Sequence, residues 1–117
     1  MADLLGPFEQ AVLLAVVQLG EAAYGRAIVR HVQERLGREV AAGAAHATLG
    51  RLERQGLVES WLGAGTPIRG GRPRRFYRAA PAGVRALNDA RVAVRTLWRG
   101  LPWPLPLPAP RPLNGPA

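Results

Sequence analysis

The chain has no cysteine, which excludes disulfides, thiolate nucleophiles and thiolate metal sites together. Lysine is missing too, so all sixteen basic residues are arginine. The histidines are His31 and His46 alone, too few for a metal site that needs three or four protein ligands. Long apolar runs are absent: the longest, Ala11 to Val17, falls far short of the roughly 20 residues that a membrane helix requires. Asp3 stands where a signal peptide would carry positive charge. No paired carboxylates lie at catalytic spacing, and no glycine-rich phosphate loop is followed by a lysine. These absences leave an expectation of a cytoplasmic protein that is not an enzyme, with no cofactor, no metal and no membrane partner. Acids are scarce as well, eight against sixteen bases, for a formal net charge of +8 over 117 residues. That length suits a single small domain with a modest core.

What is present concentrates in Val40 to Arg78. Ala45, Leu49 and Leu52 recur at i, i+4 and i+7, which predicts a helix with one apolar face. His46, Ala47, Gly50, Arg51 and Arg54 fall on its opposite side. Gln55-Gly56 ends that helix, since glycine accepts the left-handed conformation at a C-terminus. Leu57, Val58, Trp61 and Leu62 suit a short strand, Gly63 to Pro67 a turn, and Arg74 to Arg78 a returning strand. Arg69, Arg72, Arg74, Arg75 and Arg78 crowd this hairpin with no acid between Ile68 and Ala79, whereas elsewhere the acids are interspersed. A basic patch on one loop is the expected footprint of a polyanion. The bland alternative is a solvated loop in an arginine-biased composition.

Before that stretch, Gly6-Pro7 opens a first helix with Phe8, Val12, Ala15, Val16 and Leu19 on one stripe. Leu13, Leu14 and Val17 add apolar character on its other sides. A helix apolar nearly all round is covered on more than one face, either within one chain or by a second subunit. Gly20 stops it. A second helix from about Tyr24 to Leu36 turns Tyr24, Ile28, Val32 and Leu36 inward and Arg26, Arg30, Glu34 and Arg35 to water. Gly37 closes it, and Arg38 to Val40 could form a short third strand. After the hairpin, Pro81 starts a fourth helix ending near Gly100. Its Leu87, Ala90, Val94, Leu97 and Leu101 follow heptad steps, as suits packing along a partner helix. Leu101 to Pro112 has proline at every second residue, cannot continue the helix, and is expected to be extended or without fixed structure.

The expected fold class is therefore mainly α with a small β-hairpin: a winged helix-turn-helix followed by a C-terminal dimerisation helix. Residues 1–80 would form the DNA-binding unit, 81–100 the dimerisation helix and 101–117 a proline-rich tail. Leu5 to Val16 (LGPFEQAVLLAV), Ala23 to Gly25 (AYG), the block from Gly43 to Val58 with TL-x-RLE-x-x-GLV, and GRPRRFYR at Gly71 to Arg78 resemble the PadR family of winged-helix transcriptional regulators. Pro81-x-Gly83 fits as well, so the resemblance spans about residues 4 to 100. It implies a bacterial dimeric regulator, usually a repressor, in which some members answer small aromatic or drug-like molecules. The sequence departs from the family pattern at His46, where members commonly have Tyr, and at Ala41 and Ala80, where they often have a capping Ser or Thr.

The expected partners are double-stranded DNA, a second copy of the chain and a small aromatic effector. The candidate DNA-binding residues are Ala44, His46, Ala47 and Arg51 on the helix, and Arg69, Arg72, Arg74 and Arg75 on the wing. Arg54 is as well suited to pairing with Glu53 or Glu34. The candidate dimer contacts are Phe8, Leu13 and Val17 with Leu87, Val94, Leu97 and Trp98. Trp98 either packs on the first helix near Phe8 or Val12, or meets its symmetry mate to sandwich a flat ligand. A second functional class also stays open: a winged-helix interaction module that uses its apolar helices and proline-rich tail on a protein partner.

Overall fold

Pro7 begins the first helix because its missing N–H costs nothing in an opening turn; the computed structural model describes residues 4–63 and 73–113. In this helix, α1 (Pro7–Leu19), Glu9 Oε1 accepts a hydrogen bond from the Gly6 N–H at 2.9 Å. Gln10 Nε2 donates to the Leu5 carbonyl at 2.8 Å, so the entry to the helix is tied down twice. A 3₁₀ turn over Gly20–Ala22 leads to α2 (Gly25–Leu36), which closes at Gly37 with φ +66°. Glycine reaches this left-handed region without a Cβ clash. Then follow α3 (Ala42–Arg54), β1 (Val58–Leu62), β2 (Arg75–Ala79) and α4 (Pro81–Leu97).

The core is built where the apolar spacings meet. Val12, Leu13, Ala15 and Val16 of α1 bury against Ile28 and Val32 of α2, Leu49 and Leu52 of α3, and Val58 and Tyr77 of the hairpin. Fully burying an aliphatic side chain of this size stabilises by about 1.5–3 kcal/mol, so these faces fix how the helices sit. The apolar face expected for α3 is the buried one, with Thr48 added to it. β1 and β2 pair antiparallel from Val58↔Ala79 to Leu62↔Arg75.

Three expectations need correction. Leu13 is completely buried in the monomer, so it cannot touch a second subunit. Its neighbour Leu14, turned by about 100°, is the one left exposed. Leu36 is also exposed rather than inward, because steps of four drift by about 40° each, which turns Leu36 about 80° away from buried Ile28. Arg38 to Val40 forms no strand: the Val40 N–H bonds Gln33 Oε1 at 3.1 Å. The position beside the hairpin is taken by Tyr24, which bridges Phe76, while the Tyr77 N–H donates to the Ala23 carbonyl at 2.8 Å.

α4 is fastened to the foot of the wing. The Ala80 N–H donates to the Leu57 carbonyl at 2.9 Å, and Gly83 backs onto the same carbonyl so closely that a Cβ there would collide with its oxygen. This is the physical reason for glycine two residues after Pro81. Ala90 is buried and Leu87 packs partly on the core, whereas Val94 and Leu97 remain exposed. Residues 101–113 have no regular secondary structure and are exposed throughout. Within them, Trp103 meets Trp98 edge-to-face at 5.4 Å.

Ala41 sits at the N-cap of α3 in extended conformation and supplies no capping bond. Ala41→Ser should stabilise by about 1 kcal/mol by accepting an orphan N–H of the first turn. A rise of about 4 °C in the thermal midpoint is expected for a domain of this size; no rise would mean that those N–H groups are satisfied in another way.

Candidate nucleic-acid interface

At roughly 100° per residue, the buried side of α3 centres on Ala45, Leu49 and Leu52, so its outer ridge runs through Gly43, Ala47, Gly50 and Arg54. His46 lies on one flank of that ridge and Arg51, with Ala44, on the other, about 140° apart. His46, Ala44, Ala47, Arg51 and Arg54 are all exposed.

On the His46 flank the structure assembles a positive concavity. A shallow hollow of about 280 Å³ is lined by Tyr24, Gly25, Arg26, His46, Arg74 and Arg75, with Tyr77 at its base. A neighbouring one of about 320 Å³ adds Arg30 and Ala42 beside Arg26 and His46. Gly25 allows the close approach of His46, since a Cβ would stand 2.9 Å from His46 Cε1. The Arg74 guanidinium lies over the Tyr24 ring at 4.2 Å, a cation–π contact that orients a charge without neutralising it. Tyr24 is in turn edge-on to Phe76 at 5.8 Å. Arg75 Nη1 donates to Ser60 Oγ at 3.0 Å, and Ser60 donates onward to Glu53 at 2.6 Å. Burial pushes the Tyr77 phenol above its usual range; Arg75 opposes that shift and Glu53 adds to it. Tyr77 therefore stays neutral beneath the arginines at physiological pH.

Thus His46, Arg74 and Arg75, three of the residues singled out from the sequence, come together here. Arg69 and Arg72 lie outside the described residues. Arg51 points the other way: its Nε is 3.7 Å from Glu9 Oε2 on α1, and its Nη2 is 3.4 Å from Thr48 Oγ1. Arg54 makes no ion pair with Glu53 or Glu34 among the described residues; it lies back along the ridge, where a Cβ at Gly50 would be 3.4 Å from its Nη1. Arg78 is held by Glu59 through Nε and Nη2 at 3.1 and 2.9 Å. Sequence reasoning missed Arg26 and Arg30. They read as the water-facing side of α2, and their i, i+4 spacing beside a helix-turn-helix was the available signal that they flank α3.

A second feature lies between α1, α4 and the start of the tail. It is an open groove of about 720 Å³ whose lining includes Gln10, Leu14, Leu87, Val94, Trp98 and Trp103. Trp98 lines this groove together with Leu14, and its ring meets Trp103. Among the described residues no cluster of three or more His, Asp or Glu could hold a metal ion. None of their helices is long and apolar enough to cross a membrane.

The sequence model of the transcriptional regulator PadR-like family matches residues 13–89. No curated protein matches the chain. Among solved structures, a PadR family transcriptional regulator from Eggerthella lenta DSM 2243 is 32% identical, with a TM-score of 0.60 over 76% of this chain and 75% of that one. RosR of H. salinarum is 27% identical, with a TM-score of 0.62 over 82% of this chain and 79% of its own. A transcriptional regulator from Clostridium thermocellum shares the fold at 19% identity, with a TM-score of 0.63 over 76% and 81% of the two chains. Members of the matched family are transcriptional regulators rather than enzymes. With the family matched from the middle of α1 through α2, α3 and the hairpin to the middle of α4, the chain belongs to the PadR-like family of transcriptional regulators.

Proposed function

We propose that the protein is a DNA-binding repressor that acts as a cytoplasmic homodimer on an inverted-repeat operator. The observation that carries this reading is the exposed ridge of α3 beside the cluster of Arg26, Arg30, Arg74, Arg75 and His46. The ridge enters a major groove, and the arginines, with Arg69 and Arg72 further along the wing, lie on the flanking phosphates. Residues 1–80 serve as the DNA-binding unit and 81–100 as the dimerisation helix. Exposed Val17, Val94 and Leu97, together with Leu14, supply the apolar surface for an isologous contact between α1 and α4 of two subunits, with Phe8, Leu87 and Trp98 beside it. Such a dimer sets two α3 helices about 34 Å apart. The groove at Trp98 then takes a small planar aromatic effector, stacked between Trp98 of one protomer and the same residue of its partner.

Mobility shifts on random genomic fragments across a salt series test this reading. The four arginines of the cluster in each of two subunits predict by themselves a log–log slope of roughly −7, and a loss of about 10³- to 10⁵-fold in affinity between 50 and 200 mM salt, which Arg69 and Arg72 steepen further. Binding that ignores salt would remove the electrostatic basis. Complete absence of a shift at low salt would favour a protein-interaction module instead. That second reading is motivated by a ridge on which Gly43, Ala47 and Gly50 offer no side-chain hydrogen bonds and Arg54 alone does, and by the exposure of residues 101–113 in the tail.

A further inference from the structure

We infer that Glu9 is a positioning residue that withholds Arg51 from DNA. The inference rests on the DNA-binding reading above. Both oxygens of Glu9 are engaged: Oε1 holds the Gly6 N–H at 2.9 Å, and Oε2 faces Arg51 Nε at 3.7 Å. The far end of the guanidinium reaches Thr48 Oγ1 at 3.4 Å, and Thr48 is buried. Arg51 is therefore held between one anchor fixed in the core and another fixed by its own helix cap. Its flank of α3 otherwise carries Ala44, so Arg51 is the charge available to a duplex on that side. By contrast, Arg26, Arg30 and Arg54 on the ridge and the opposite flank have no ion pair among the described residues. The side chains of Arg51 and Glu9 are 47% and 24% exposed; a pair so open to solvent is weak and salt-screened. In the parent this pair and the Thr48 contact together keep the guanidinium off the phosphate, so Arg51 adds nothing to binding until Glu9 loses its charge. Glu9 belongs to α1, next to Gln10, which lines the groove between α1 and α4. The arginine's freedom is thus set from outside the recognition helix.

The test compares binding of one DNA fragment by the full chain and four variants. Glu9→Gln keeps an oxygen for the Gly6 N–H and removes the charge that holds Arg51. It should bind about three- to fivefold more tightly, with a salt slope steeper by about 0.9 per subunit. Glu9→Asp retains net charge but not reach, and should strengthen binding in the same direction. Arg51→Ala should change little, and Glu9→Gln/Arg51→Ala should show no gain over Arg51→Ala. Equal strengthening with and without Arg51 would overturn the inference in favour of a diffuse charge effect, and weaker binding by Glu9→Gln would mean that Glu9 presents Arg51 rather than withholding it. Thermal unfolding of each variant confirms that a folded protein is compared. Binding by the parent alone reports on the DNA reading, so the two failures are distinguishable.

Discussion

Gly83→Ala should lower the thermal midpoint by roughly 10–15 °C, the equivalent of about 3 kcal/mol for a domain of this length. Over-packing typically costs about 1–3 kcal/mol when flexible side chains can yield. Here the added methyl meets the Leu57 carbonyl, a backbone atom with nowhere to retreat. That carbonyl also accepts the Ala80 N–H at 2.9 Å. Moving α4 outward to relieve the clash would therefore break a hydrogen bond and uncover buried Ala80. Ala82 neighbours Gly83 in the same turn, so Ala82→Gly serves as a control: it loses only helix propensity, about 1 kcal/mol. A Gly83→Ala midpoint no lower than that control would show that the first turn of α4 is not clamped.

The triple change of Arg26, Arg74 and Arg75 to Ala should weaken DNA binding roughly a hundredfold or more, and reduce the salt slope by about 5, since six phosphate contacts vanish from the dimer. Stability should hardly follow. All three side chains are exposed, and the cation–π contact of Arg74 with Tyr24 contributes only about 0.5–1 kcal/mol at such a site. A matched control removes the same formal charge elsewhere, from Arg85, Arg99 and Arg111 on the last helix and the tail. If both triples weaken binding equally, net charge rather than the concavity around His46 governs affinity. Filter binding across a salt series, with circular dichroism for folding, separates these outcomes.

Much of this architecture is written in local spacing. The burial of Ala45, Leu49 and Leu52, the stops at Gly20, Gly37 and Gly56, and the start of α4 at Pro81 each follow from a residue's own conformational preference or from helical periodicity. Leu13 was not legible in this way. Where a helix is apolar on most sides, its period cannot say which side meets the core, and the choice between Leu13 and Leu14 is made by α2 and α3. Arg38 to Val40 had the composition of a strand, but Tyr24 takes the edge of β2, and the Val40 N–H is spent on Gln33 of the preceding helix. The site divides similarly. The arginines of the returning strand announce themselves by their density. Arg26 and Arg30 left only their i, i+4 spacing as a trace, and the Glu9–Arg51 pair is joined by folding across a separation that no local pattern records.

The Leu57 carbonyl has a mechanical consequence. Because it meets α4 at both Ala80 and Gly83, the wing and the base of that helix share an anchor. Leu87 and the buried Ala90 hold the middle of the helix as well, so only the turns beyond Ala90, about 10 Å at 1.5 Å per residue, project clear of the core. A load applied at exposed Leu97 therefore reaches the hairpin through a helix braced at two levels, and is passed to the wing as a push on its foot.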